Sequence, residues 1–143
     1  MESFLRSEEK KLSDITEKKK ILMIDDTDFH LSIAKNMLKN DYEVITARSG
    51  KEGLDYLLKG LVPDIILLDI IMPNMDGWET SHKIRGISLL QDVPIAFLTS
   101  SSEAEDVKYA QQIGAADYII KPYEKNDFLK RIKNIIEKYH KRK

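Results

Sequence analysis

From residue 20 onward, short apolar runs alternate with longer segments of helical period. Ile21–Ile24 (ILMI) predicts a first strand that stops at Asp25-Asp26. Phe29, Ile33, Met37 and Leu38 then recur at helical spacing and predict a first helix. Tyr42–Ala47 (YEVITA) alternates and is rich in β-branched residues, which predicts a second strand. Leu54, Leu57 and Leu58 fall on one helical face of the segment Lys51–Leu58, and Gly60 and Pro63 punctuate the stretch after it. Ile65–Leu68 (IILL) is a continuous apolar run, as expected of a strand covered on both faces, and it ends in Asp69. A third helix should run from near Gly77 to about Arg85, with Trp78 covering its start. Pro94–Leu98 predicts strand four, ending at Thr99. Val107, Ala110 and Ile113 predict helix four, with Gly114 at its C-cap. Tyr118–Ile120 predicts strand five, ending at Lys121-Pro122. Leu129, Ile132, Ile135, Ile136 and Tyr139 predict a long last helix.

Five strand–helix units in succession imply an α/β fold, a doubly wound parallel sheet with helices on both faces. Right-handed crossovers leave few topologies, and a flavodoxin-like five-stranded sheet in the order 2-1-3-4-5 with five helices is the natural choice. The core of the fold is expected over residues 20–140. Residues 1–19 are charged and carry few apolar positions, so a solvated extension or linker is expected there. Residues 141–143 form a small basic tail, which suits the negative end of a helix dipole.

Composition narrows the function. The 143 residues fit one domain, and a chain of this length buries about two-thirds of its unfolded surface without staples. A formal net charge of -1 argues against a general binder of nucleic acid or of membrane surfaces. There is no cysteine, which removes disulfides and thiolate metal sites. No apolar run reaches the length of a membrane span, and the first residues have no apolar signal core. A cytoplasmic location is the default expectation.

The chemistry gathers at the strand ends. In a parallel doubly wound sheet all carboxyl ends lie on one edge, where ligands bind. Asp25, Asp26, Asp69, Thr99 and Lys121 should therefore converge on one crevice. Three neighbouring carboxylates need counter-charge, and one lysine offsets only one of them. A hard cation such as Mg²⁺ would offset more, because it takes one or two carboxylates together with phosphate oxygen. A carboxylate can also attack phosphorus to give an acyl phosphate. Asp69 ends the middle strand and is the best placed nucleophile, with Asp25 and Asp26 as cation ligands. Taken singly, each residue would be a helix cap or a surface lysine; their shared edge makes that reading hard to keep for the whole set.

At these residues the sequence resembles the response-regulator receiver family. The resemblance rests on ILMIDD, on LLDIIMPNMDG from Leu67 to Gly77, on AFLTS around Thr99 and on GAADYIIKP from Gly114 to Pro122, and it covers about residues 20–140. It implies that Asp69 is the phosphoacceptor, and that Asp25, Asp26, Asp69 and the backbone carbonyl of Ile71 hold Mg²⁺, with Mn²⁺ as an alternative. It implies that Thr99 moves toward the phosphoryl group, that Lys121 pairs with it, and that Tyr118 changes rotamer on activation. It also implies a cis peptide bond before Pro122.

The function so implied is a phosphorylation-dependent switch of a two-component system. A histidine kinase or a histidine phosphotransfer protein would be the donor, and the surface of helix four, strand five and helix five would regulate a downstream protein. Such a domain catalyses its own phosphoryl transfer and autodephosphorylation and is otherwise no enzyme. No direct contact with nucleic acid or membrane is expected, and the state would be a monomer or a phosphorylation-dependent dimer. The competing readings fit less well. An aspartate-nucleophile phosphatase would want its nucleophile after strand one and a cap over the substrate. A flavin carrier would want a hydroxyl- and glycine-rich phosphate loop where Asp25-Asp26-Thr27-Asp28 stands. A receiver-shaped scaffold that is never phosphorylated would be expected to have lost part of the acidic set.

Departures from the family pattern stand out at Ile71 and at Thr80 and Ser81. Ile71 is aliphatic and cannot orient an attacking water, so slow self-dephosphorylation is expected. Thr80 and Ser81 occupy helix positions that are often apolar in the family, which would weaken packing there. His30 lies near the acidic pair, where it could line the site mouth; a solvated helix histidine is the expected reading, and no histidine pairs with another at metal-ligand spacing.

Overall fold

A computed structural model describes residues 18–140. The expectations for residues 1–17 and for the tail 141–143 lie outside the described residues. Among the described residues five parallel strands, β1 (Lys20–Ile24), β2 (Glu43–Ala47), β3 (Ile65–Leu68), β4 (Ile95–Thr99) and β5 (Asp117–Ile120), form one sheet. Their order is β2-β1-β3-β4-β5, as the pattern of alternating units predicts. Each strand is succeeded by an α-helix: α1 (Asp28–Leu38), α2 (Gly50–Leu58), α3 (Gly77–Arg85), α4 (Ala104–Gln112) and α5 (Lys125–His140). A short 3-10 turn, Ser88–Leu90, precedes β4.

Alternate residues of each strand point to opposite faces, and the two cores follow that period. Ile21, Met23, Ile65 and Leu67 pack with α1 and α5 on one face, through Leu31, Ala34, Leu38, Phe128 and Ile132. Leu22, Ile24, Ile66 and Leu68 pack with α2, α3 and α4 on the other, through Leu57, Ile84 and Ala110. Both faces of β3 are thus covered, which accounts for its unbroken apolar run. Each such side chain contributes roughly 1.5–3 kcal/mol when fully buried.

Several helical faces differ from the pattern of large apolar residues. In α1 the buried positions are Leu31, Ala34 and Leu38, whereas Phe29 and Ile33 are exposed. Helical period marks the element but not the face, because small Ala34 packs against the sheet while bulkier Phe29 and Ile33 do not. In α2 Leu57 is buried and Leu58 is exposed. Ile113 is the C-cap of α4 and is exposed, and Gly114 comes next with φ +82, the left-handed conformation that suits glycine after a helix. Phe128 is fully buried and stacks near Tyr123 at 4.2 Å, anchoring α5.

Thr80 and Ser81 face the interior of the fold rather than solvent. Both are buried, and the Thr80 hydroxyl donates to the Asp76 carbonyl at 2.7 Å. Their small size suits the approach of α2, since a side chain at Gly50 would meet Thr80.

Candidate functional site

The backbone ladder sets the carboxyl edge. Asp69 N–H donates to Ile24 O at 2.9 Å, Asp25 N–H donates to Ala47 O at 3.0 Å, and Lys121 N–H donates to Thr99 O at 2.8 Å. These bonds carry the β1–β3, β1–β2 and β4–β5 pairings one step beyond the strands. They bring residues far apart in sequence to one rim.

Asp25 and Asp69 are buried and Asp26 is exposed. One carboxylate oxygen from each lies within 4.8 Å of the other two. Asp25 Oδ1 accepts from the Thr27 N–H at 2.9 Å. Asp25 Oδ2 accepts from Lys121 Nζ at 2.5 Å, and Asp69 Oδ2 lies 3.5 Å from the same ammonium. Lys121 is itself only 10% exposed, so these charges interact with little solvent between them. Burial raises the Asp69 carboxyl above its ordinary value; the Lys121 charge opposes that shift, the Asp25 charge adds to it, and hydrogen bonds from Thr99 and from the Ile70 backbone oppose it.

Lys121 reaches two of the three clustered carboxylates, Asp25 and Asp69. An all-oxygen cluster with two buried acids and one exposed acid suits a hard divalent cation that keeps some of its water. The donor set therefore fits the Mg²⁺ that the resemblance implies. Ile71 stands two residues after Asp69, and its side chain is 62% exposed.

The loop after β3 explains the MPNMDG segment. Asn74 adopts φ 69, a left-handed conformation that asparagine tolerates better than most residues. Asp76 caps α3 by accepting from the Glu79 N–H at 2.9 Å. Gly77 N–H donates to Ile70 O at 2.8 Å, and a Cβ at Gly77 would run into the Asp69 carbonyl and the Ile70 Cα. Glycine is required there by close backbone approach, beside the very residue the site is built on. Trp78 packs against Phe97 at 4.7 Å and Tyr109 at 4.8 Å, so it joins α3 to β4 and α4.

Thr99 ends β4 fully buried, and its Oγ1 accepts from the Ser101 N–H at 3.4 Å. Tyr118 sits on β5 with a half-buried ring. Its hydroxyl donates to the Ser101 carbonyl at 2.8 Å, so it is anchored to the loop after Thr99 rather than simply wet. The Lys121–Pro122 peptide bond is cis, as expected.

His30 differs from expectation. Its ring is partly exposed, but Nδ1 lies 3.0 Å from Lys121 Nζ and 3.6 Å from Asp25 Oδ2. The only sequence signal was its place five residues after Asp25. A groove of about 340 Å³ opens beside it, lined by Phe29, Ile33, Met37, Pro122 and Tyr123. That groove takes Phe29 and Ile33, the large apolar residues of α1 that stay exposed, while Met37 also packs against the core.

Comparison with known proteins agrees with this arrangement. Residues 21–133 match the model of the response regulator receiver domain. Histidine kinase P4 of Formosa agariphila is 38% identical over 125 residues, covering 86% of this chain and 9% of the kinase. Response regulator SaeR of Staphylococcus aureus is 32% identical over 124 residues, 84% of this chain and 53% of SaeR. The chain spans about half or less of the length of these curated relatives. Among solved structures, a CheY-like receiver domain protein from Methanospirillum hungatei superposes with a TM-score of 0.80 at 29% identity, covering 89% of this chain and all of that one. Chemotaxis protein CheY4 of Vibrio cholerae gives 0.77 at 29% identity, covering 82% and 98%. With the motif segments, the strand order and the acidic rim all in agreement, the chain belongs to the response regulator receiver domain family.

Proposed function

We propose that this protein is a phosphorylation-dependent switch of two-component signalling, with Asp69 as the phosphoacceptor. The observation that carries the reading is the meeting of Asp25, Asp26 and Asp69 with Lys121 and Thr99 at one rim of the sheet.

In this reading a carboxylate oxygen of Asp69 attacks the phosphorus of a phosphohistidine on a histidine kinase or phosphotransfer protein. The O–P bond forms as the N–P bond breaks, and the imidazole leaves with the electron pair. Asp25, Asp26, Asp69 and the Ile71 carbonyl would hold Mg²⁺, or Mn²⁺ in its place. When bound, the cation neutralises charge on the transferring group and on the acids. Lys121 already reaches Asp69 and pairs with a phosphoryl oxygen. Thr99 donates its hydroxyl to another.

The new group brings about two negative charges. Drawing Thr99 toward them moves the loop that carries Ser101, and Tyr118 is tethered to that loop by its hydroxyl. The surface of α4, β5 and α5 would then change and regulate a downstream protein, as a monomer or as a phosphorylation-dependent dimer. No helix among the described residues is long and apolar enough to cross a membrane. Residues 20–140 form the receiver unit, a separate module or a part of a longer regulator, working in the cytoplasm without direct contact to nucleic acid. The exposed aliphatic side chain of Ile71 offers an attacking water no hydrogen bond, so the acyl phosphate persists for minutes or longer; a lifetime of seconds would contradict this.

Intact-mass measurement with a small phosphodonor such as acetyl phosphate tests the proposal. The expected result is a gain of one phosphoryl group that requires Mg²⁺ and is absent in Asp69→Asn. A folded protein that gains no mass under any condition would contradict it.

A further inference from the structure

We infer that His30 is a positioning residue for phosphoryl transfer, holding the Lys121 ammonium in line with Asp69. The inference rests on the proposed phosphoacceptor site and adds a residue to it.

Lys121 Nζ has three partners within reach: Asp25 Oδ2 at 2.5 Å, His30 Nδ1 at 3.0 Å and Asp69 Oδ2 at 3.5 Å. An ammonium has three N–H donors and no acceptor. His30 Nδ1 must therefore accept, which places the ring proton on Nε2. The three donors then match the three partners one for one.

The partners are not equivalent. Asp69 is the residue to be modified, so its bond to Lys121 has to give way to one with the phosphoryl oxygen. Asp25 belongs to the acidic cluster, where a divalent cation competes with Lys121 for its oxygens. His30 is a neutral acceptor on α1 and belongs to neither group. It can keep one donor of Lys121 engaged while the other two are exchanged. The four-carbon lysine stem has large rotamer freedom, and an anchor that persists through the exchange reduces what must be ordered at the moment of transfer.

The groove side of the ring explains why a histidine can stand here. His30 lies with Phe29 at a ring separation of 6.2 Å and shares the apolar groove with Pro122 and Tyr123. One edge meets an ammonium while the rest lies along apolar surface. A leucine would fill similar space without an acceptor. An asparagine would place a carbonyl oxygen close to the position of Nδ1.

Two measurements on the full chain test this. The first is the ¹⁵N spectrum of the His30 ring without metal or phosphodonor. The Nε2–H tautomer is expected, with an Nδ1 resonance shifted by the hydrogen bond from Lys121, and Lys121→Met should remove that shift. An Nδ1–H ring, or an Nδ1 resonance unaffected by Lys121→Met, would overturn the inference. The second is the rate of phosphorylation by acetyl phosphate with Mg²⁺, a donor too small to need a docking surface. His30→Leu should slow it about five- to tenfold, the worth of one hydrogen bond. His30→Asn should return it to within about twofold of the parent. An unchanged rate in His30→Leu, or an equal loss in both variants, would overturn the inference even with the expected tautomer. A parent protein that takes no phosphoryl group would instead overturn the proposed function, and the ring spectrum would still decide whether His30 holds Lys121.

Discussion

The centre of the sheet and its β5 side are built differently. All four residues of β3 and all five of β4 are buried, and β1 is buried from Ile21 to Ile24. On the β5 side only Ile119 of the strand is buried, and α4 buries only Ala110. The candidate phosphoacceptor and its acidic partners stand on the central strands, while Tyr118 and Lys121 belong to the thinly packed side. The contrast separates two tasks. Buried carboxylates need a rigid frame, since their spacing decides how strongly they repel and what they bind. A responsive surface needs few buried contacts, because segments with little burial open at low cost. Lys121 bridges the two, reaching from the end of β5 to Asp25 at the end of β1.

That contrast can be broken or sharpened by experiment. Lys121→Met removes the bridge and should slow phosphorylation by acetyl phosphate about a hundredfold, the typical loss when one preorganised charge partner is removed. A change under about threefold would mean the bridge is not part of the chemistry. Gly77→Ala tests the rigid side, where a Cβ collides with the Asp69 backbone. It should cost about 2–3 kcal/mol in urea denaturation, as overpacking does. A neutral effect would show that the loop beneath Asp69 is soft. Amide hydrogen exchange compares the two sides directly. Amides of β3 should exchange at least about tenfold more slowly than those of β5 and α4, and equal protection would erase the distinction.

The smallest effect concerns pH. Burial, aided by the Asp25 charge, pushes the Tyr123 hydroxyl up to about 12 from an ordinary 10.0. The folded state therefore favours the neutral phenol. Its contribution to stability is complete below pH 10 and is lost as pH rises through about 12. Tyr123→Phe should remove this alkaline loss, and denaturation curves at successive pH values would reveal it. An identical alkaline decline in parent and variant would contradict the burial of the Tyr123 hydroxyl.

The strands and their order were legible because β1, β3 and β4 are short apolar runs with chemistry at their ends. The acidic rim was legible for the same reason: parallel topology turns strand ends into neighbours, so Asp25, Asp69, Thr99 and Lys121 could be placed together from sequence alone. Helical faces were less legible. Phe29 and Ile33 are as apolar as Leu31 and Ala34, and hydrophobic period does not say which of them meet the sheet. The buried pair Thr80 and Ser81 reads as polar, yet their small side chains and a local hydroxyl bond let α2 approach. The contact of His30 with Lys121 was not legible because the two are 91 residues apart, and nothing in local spacing links them.

The most direct test of the central claim is to locate the phosphoryl group. Treatment of the phosphorylated protein with borohydride reduces an acyl phosphate and turns the modified aspartate into homoserine, which peptide mass mapping can place. Homoserine at position 69, with Asp25 and Asp26 intact, is the predicted result. Homoserine at position 25 or 26, with Asp69 unchanged, would contradict the assignment of nucleophile and cation ligands.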